Sequence, residues 1–349
     1  MSLNHGGRRG LVRIAVAVVL SAAALTSCKA IGVSLGSGPS ASSGSTAVSA
    51  SGLVTAPDQG YEPIYQFIGS AHKTVDMTMY ELVDTTAEED LAKAAERGVR
   101  VRVILDHHLE AKNNKAAFTY LSAHGVHVAW ANTHYASTHQ KTITIDDTES
   151  AILTGNLTSR YYSTTRDFAI IDRTPGDVTA IEQTFDADFA HTYPFTPPDA
   201  ADLVWSPTNA ESSMLSVINH AQHALQVENE EMSVSKIEDA LIDAVHRGVT
   251  VQVTMTRSSD WTDDFDKLVS GGVKVATYSS SASLYIHAKV IIADAGLSDQ
   301  RVLVGSENFS TTSLTRNREL GLTVTTPDVV QALHETLAHD YTAAEQWKS

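Results

Sequence analysis

With 349 residues, 42% of them hydrophobic, the chain can bury a sizeable core and exceeds the usual size of one domain. A formal charge of −16 argues against wholesale binding to a nucleic-acid backbone or an anionic membrane, since both rest on a positive footprint. The one cysteine, Cys28, excludes an intramolecular disulfide and a cysteine metal site, so catalysis must come from other side chains.

The N-terminus reads as a targeting segment: Arg8 and Arg9 precede an apolar run from Leu11 to Leu25, then small residues and Cys28. The run is shorter than the about 20 residues of a membrane-spanning helix and is interrupted by Arg13, which favours cleavage over a membrane span. Leu25-Thr26-Ser27-Cys28 resembles the bacterial lipobox, which implies a signal segment over residues 1–28, lipid attachment at Cys28 and an extracytoplasmic protein anchored to the cell membrane. The alternative is an ordinary secretory signal with an incidental cysteine. Residues 29–53 are rich in Ser, Gly and Ala without hydrophobic period and read as a flexible tether.

From residue 54 onward the chain carries an internal repeat of about 150 residues. Ala71 aligns with Ala221, Arg97-Gly98-Val99 with Arg247-Gly248-Val249, Gly125-Val126 with Gly272-Val273, His139 with His287, and Arg166-Asp167 with Arg318-Glu319. Helical stretches, Glu89 to Arg97 and Ile237 to Arg247, alternate with β-branched runs, Val99 to Leu105 and Val249 to Met255, which predicts an α/β sheet in each half. Pro194, Pro197, Pro198 and Pro207 break regular structure between the halves, dividing the chain into domains 54–200 and 201–349.

Two segments carry the pattern HxKx4D: His139, Lys141 and Asp146 in the first half, His287, Lys289 and Asp294 in the second. Composition alone predicts far fewer than one such match, so two at corresponding repeat positions are a signal. On a strand, side chains two apart share a face, which would turn each histidine and its lysine together. Asp146 and Asp294 stand at odd offsets, where a carboxylate bonds backbone or anchors a turn, and are read as structural. After each segment comes an asparagine, Asn156 in Thr154-Gly155-Asn156 and Asn308 in Gly305-Ser306-Glu307-Asn308; an amide near a lysine suits a phosphoryl oxygen. Asp167 and Glu319 follow, and a carboxylate on one imidazole nitrogen fixes the tautomer and frees the other nitrogen.

At these residues the chain resembles the phospholipase D superfamily, from about residue 55 to the C-terminus. The resemblance implies two repeated α/β domains related by a pseudo-twofold axis, with one active site at their interface. It also implies a metal-independent route without cofactor: His139, by position, attacks phosphorus to form a phosphohistidine, while His287 protonates the leaving alcohol and then activates water. The chemistry of the residues agrees, because a nucleophilic imidazole must be neutral and its partner protonated, and neighbouring like charges push two pKa values apart. Lys141, Lys289, Asn156 and Asn308 would stabilise the phosphorane oxygens. The family's Gly-Ser-x-Asn element is present in the second half, whereas the first half has only Thr154-Gly155-Asn156.

The expected activity is phospholipase D-type hydrolysis by a monomer, with a phospholipid as substrate and a membrane surface reached through the N-terminal lipid. Alternatives are a superfamily endonuclease, disfavoured by the acidic chain, a phosphatidyltransferase, and an envelope- or lipid-binding lipoprotein with a dead site. Asp106-His107-His108 follows a strand but has no third ligand at metal spacing and reads as a loop. Glu230 and Glu231, at the repeat positions of Tyr80 and Glu81, read equally as lining a substrate mouth, capping a helix or facing solvent. No partner is assigned to His191, His334 or His339.

Overall fold

β-Branched runs separated by amphipathic helices build two sheets of one design. The computed structural model describes residues 52–348; the leader, Cys28 and the tether up to residue 51 lie outside the described residues. The first half comprises β1 (Leu53–Ala56), α1 (Glu62–Gly69), β2 (Thr74–Met79), β3 (Leu82–Val83), α2 (Thr85–Glu96), β4 (Arg100–Leu105), α3 (Ala111–Ala123), β5 (His127–Trp130), β6 (Thr142–Ile145), β7 (Glu149–Leu153), β8 (Leu157–Thr158), β9 (Thr165–Asp172) and α4 (Pro175–Phe189). The second half comprises β10 (Leu203–Ser206), α5 (Ala210–His220), β11 (Ala224–Glu228), α6 (Ser235–His246), β12 (Thr250–Thr256), α7 (Thr262–Ser270), β13 (Lys274–Tyr278), β14 (Tyr285–Ile286), β15 (Val290–Ala293), β16 (Arg301–Gly305), α8 (Thr311–Thr315), β17 (Glu319–Val324), α9 (Pro327–Ala343) and β18 (Glu345–Gln346).

The sheet orders match strand for strand: β1-β9-β7-β6-β2-β4-β5 in the first half and β10-β17-β16-β15-β11-β12-β13 in the second, with β18 added at the outer edge. In each, three strands run parallel, β2, β4 and β5 or β11, β12 and β13, because helices make the crossovers between them. The other neighbours along these two orders are antiparallel, and the turns between β6 and β7 and after β15 put Asp146 and Asp294 in the left-handed region, at φ 54° and 53°. Each aspartate is held there by work its side chain does. Asp146 accepts backbone N–H groups of His72, Lys73 and Thr74 at 2.6–3.0 Å, and Asp294 those of Gln222, His223 and Ala224 at 2.7–2.9 Å. These bonds outweigh partial burial and hold both carboxyls below the usual aspartate range.

Each half has its own core between sheet and helices, and a third core joins them: Phe168, Ile170 and Ile181 of the first half pack with Val290, Ile292, Leu320 and Leu333 of the second. Two buried arginines cross this junction in opposite directions. Arg166 of β9 reaches Asp340 of α9 at 2.5 and 3.1 Å, and Arg318, just before β17, reaches Asp188 of α4 at 2.8 and 3.1 Å. Arg166 also bonds Asp58 and the Ala56 carbonyl, whereas Arg318 has the Tyr135 hydroxyl. Among the described residues no helix is long and apolar enough to cross a membrane.

Removing one partner of a buried ion pair strands the other charge, at a cost of about 3–5 kcal/mol. Asp188→Ala, which leaves Arg318 with only Tyr135, is therefore expected to lower the urea unfolding free energy by that amount; a loss below about 1 kcal/mol would show that water reaches the guanidinium.

Candidate active site

The site forms where each half lends a strand end to the other. Thr138 bridges in parallel to Arg318, and β14 pairs in parallel with β9, so Ile286 lies beside Arg166. Consequently the His139 N–H donates to the Arg318 carbonyl at 2.9 Å and the His287 N–H to the Arg166 carbonyl at 3.3 Å. The residue after each arginine is the carboxylate, and it lands on the imidazole: His139 Nδ1 is 2.7 Å from Glu319 Oε2, and His287 Nδ1 is 2.8 Å from Asp167 Oδ1. Each histidine thus takes its carboxylate from the opposite half, and the carboxylate fixes Nδ1 as donor and turns Nε2 to the site.

Neighbours aim these carboxylates in turn. The Thr154 hydroxyl donates to Asp167 at 2.6 Å, and Ser313 and Asn317 donate to Glu319 at 2.6 and 2.9 Å. Behind the histidines, Asp106 accepts the Thr138 N–H at 2.8 Å, and Thr256, at the equivalent repeat position, accepts the Ile286 N–H at 2.7 Å. Asp106 is therefore a buried anchor of the approach to His139, while His107 packs edge-on against Trp130. Gly155 has no room for a side chain: a Cβ would lie 2.6 Å from the Asp167 carboxylate.

The expectation that each histidine and its lysine lie on a strand needs correction. β6 and β15 begin only after Lys141 and Lys289, and in the first half His139 and Gln140 both donate to the Arg318 carbonyl, which interrupts the regular ladder there. Lys141 and Lys289 are each 1% exposed and donate back to the carbonyl of the histidine two residues before. Asn308 gives its amide protons to Glu230 at 3.4 Å and Glu231 at 3.1 Å, and its Oδ1 is buried without a protein partner; Asn156 likewise has a buried Oδ1 without one.

Glu230, left open in the sequence, is part of the site. Its Oε2 lies 3.1 Å from Lys289 Nζ and 3.4 Å from His287 Nε2, and its Oε1 accepts the Tyr285 hydroxyl at 3.0 Å. At the corresponding place in the first half Tyr80 sets its ring edge-on to His139, with Lys141 Nζ 5.0 Å from the ring centre. The repeat alignment was the available signal, since it set a carboxylate and a tyrosine at one position next to a motif strand. His191 and His334 find partners away from the site, the Trp130 carbonyl at 2.7 Å and Gln226 at 2.6 Å.

Burial pushes the His139 imidazole below its ordinary value; Glu319 opposes this, and Lys141 and Lys289 reinforce it. Burial lowers Lys141 to about 7, helped by the charge of Lys289. Burial alone would raise Glu319 and Glu230, but His139 and Lys141 hold the first, and Lys289, His287 and His139 the second, below the usual glutamate range. Glu307 goes the other way, raised by burial and by the charge of Glu319. The arrangement offers two imidazoles flanked by lysine and amide donors, the His139 Nε2 without a partner among the described residues and the His287 Nε2 3.4 Å from Glu230, which suits attack on a phosphodiester and protonation of its leaving group. Elsewhere, Asp76, Asp147 and Glu182 come close enough to share a metal, but Asp76 is already paired with Arg102 at 2.6 Å.

A two-lobed fold with paired HxK segments is the frame of the phospholipase D-like proteins, and comparison agrees. The family model "Cardiolipin synthase, PLD-like domain" matches residues 64–189 and 214–341, more than half of the chain, and the protein belongs to that family. Among solved structures it is similar to a phosphatidylserine synthase from Haemophilus influenzae Rd KW20, with a TM-score of 0.65 and 12% identity over 86% of this chain and 89% of that one. It is also similar to a polyphosphate kinase from Porphyromonas gingivalis, with a TM-score of 0.62 and 13% identity over 82% of this chain but only 50% of that one. At such identities the likeness is one of fold. No curated protein matches the chain.

If Glu319 is what holds His139 up against burial, the imidazole should titrate below 6.5 in the native protein and lower still in Glu319→Gln, as followed by histidine carbon NMR. The same sign applies to stability: an imidazole depressed by folding makes the native state lose stability as pH falls through 6.5 toward its folded value. A His139 titration at or above 6.5, or one unmoved in Glu319→Gln, would refute this account.

Proposed function

We propose that the protein hydrolyses the head-group phosphodiester of phospholipids to phosphatidic acid through a phosphohistidine. The crossed Glu319–His139 and Asp167–His287 pairs are the observation that carries this reading, since they hold two imidazoles by Nδ1 in one site. His139 is the more suitable nucleophile: burial disfavours its protonated form, and Nε2 has no hydrogen-bond partner among the described residues. In the first step the His139 Nε2 lone pair forms a bond to phosphorus as the bond to the head-group oxygen breaks, and His287 delivers its Nε2 proton to that oxygen. In the second, His287 takes a proton from water, whose oxygen displaces His139 and releases phosphatidic acid. Lys141 and Lys289, beneath the histidines, balance the charge of the equatorial oxygens.

The lipid substrate is favoured by the acidic chain, which lacks the positive footprint of a nuclease. The leader and Cys28 support action at the extracytoplasmic face of a membrane, through a lipid anchor. The family description gives ground for a second reading, in which an alcohol replaces water and the product is a transferred phosphatidyl group.

With phospholipid in mixed micelles and EDTA present, head-group release is expected to fall at least about a thousandfold in His139→Ala. His287→Ala should instead accumulate acid-labile phosphatidyl label on the protein. Equal turnover in wild type and His139→Ala would end the phosphohistidine reading, and single-stranded DNA cleavage without lipid cleavage would make the protein a nuclease.

A further inference from the structure

Three nitrogens of the second half converge on one oxygen, Glu230 Oε2: Lys289 Nζ and Asn308 Nδ2 donate to it at 3.1 and 3.4 Å, and His287 Nε2 lies 3.4 Å away. A lysine, an imidazole and an amide around one anionic oxygen are the surroundings a phosphoryl oxygen needs. The carboxylate therefore stands where the substrate would bind. In the first half Tyr80 occupies the position and Lys141 Nζ lies 5.0 Å from its ring centre, with no equivalent carboxylate among the described residues.

A phosphodiester that takes these donors must displace Glu230. The carboxylate is tethered through Oε1 to the hydroxyl of Tyr285, which is 40% exposed, so a displaced Glu230 that keeps this bond stays at the wall on the His287 side. Glu231, 3.1 Å from the Asn308 amide, lines the same wall. The displaced carboxylate and the phosphodiester, each negative, then lie side by side and repel unless a cation comes between them.

We propose that Glu230 is a specificity-determining residue that selects phosphodiesters whose leaving alcohol carries an ammonium group. Such a zwitterionic substrate supplies the phosphate that replaces the carboxylate and the cation that pairs with it afterwards. The leaving alcohol lies on the side of His287, its proton donor, which is the side Glu230 and Glu231 line; Tyr285 adds an aromatic face suited to an alkylammonium. An anionic or uncharged head group gains no such pairing. The inference rests on the phosphodiesterase reading above and narrows its substrate.

The full chain and its Glu230→Gln and Glu230→Asp variants should be assayed with EDTA on phosphatidylethanolamine and phosphatidylglycerol in mixed micelles at equal surface concentration, while calorimetry follows inorganic phosphate binding. The wild type is expected to favour phosphatidylethanolamine in kcat/KM by about tenfold or more, the usual scale for one charged hydrogen-bonded pair. Glu230→Gln should bring the ratio close to one and tighten phosphate binding, whereas Glu230→Asp should keep the preference. A ratio equal in wild type and Glu230→Gln would overturn the proposal. So would an equal fall on both lipids, which would make Glu230 a positioning residue for His287 and Lys289. If none of the proteins cleaves either lipid, the phosphodiesterase reading fails, and phosphate affinity unchanged by Glu230→Gln would refute the displacement of Glu230 separately.

Discussion

The donation of the His139 and His287 N–H groups to the Arg318 and Arg166 carbonyls is the constraint on which the site depends. A backbone bond fixes register, and register decides which side chain comes next. Because Glu319 and Asp167 follow those arginines directly, one parallel contact per histidine also delivers the carboxylate that sets its tautomer. The arginine side chains, turned to Asp188 and Asp340, keep the two halves at the separation this contact requires. Stability of the junction and geometry of the reaction therefore draw on the same two residues, Arg166 and Arg318.

Around that symmetric frame the halves have diverged. The second half keeps Ser306 and Glu307 between Gly305 and Asn308, and Glu307 is buried with its carboxyl raised, close to Glu319. The first half has the bare Gly155, packed against Asp167. Glu230 on one side and Tyr80 on the other give the two lysines unlike surroundings: a carboxylate contacts Lys289, whereas Lys141 faces an aromatic ring and is pushed to about 7 by burial and by Lys289. Two imidazoles with different roles need such inequality, and a duplicated fold obtains it from substitutions beside the motifs.

Much of the frame could be read from the sequence, because local patterns report local structure. The β-branched runs at Val99 and Val249 became β4 and β12, the periodic stretches before them α2 and α6, and the repeat register carried over to matching sheet orders. Asp167 and Glu319 could be picked out by the same register. Which imidazole each would meet could not, since spacing within a half says nothing of pairing between halves. The strand placement of His139 and Lys141 failed because two N–H groups share the Arg318 carbonyl, an interruption that only the opposite half imposes. Glu230 was left open because a carboxylate after a strand is usually solvated or capping, and its contacts with Lys289, His287 and Tyr285 arise only in the folded chain.

The crossed carboxylates also bear on how such a chain could arise. A protein with one repeat would hold a histidine and a carboxylate that cannot meet, since each needs its counterpart from another copy. A single-repeat precursor could have worked only as an isologous twofold dimer, with two identical sites merged into one on the symmetry axis. Joining two copies through the segment between α4 and β10 relieves the dimer of its concentration dependence and frees each half to mutate without its twin. In such a history, unlike residues at positions 80 and 230 would become available only once the two subunits were a single chain.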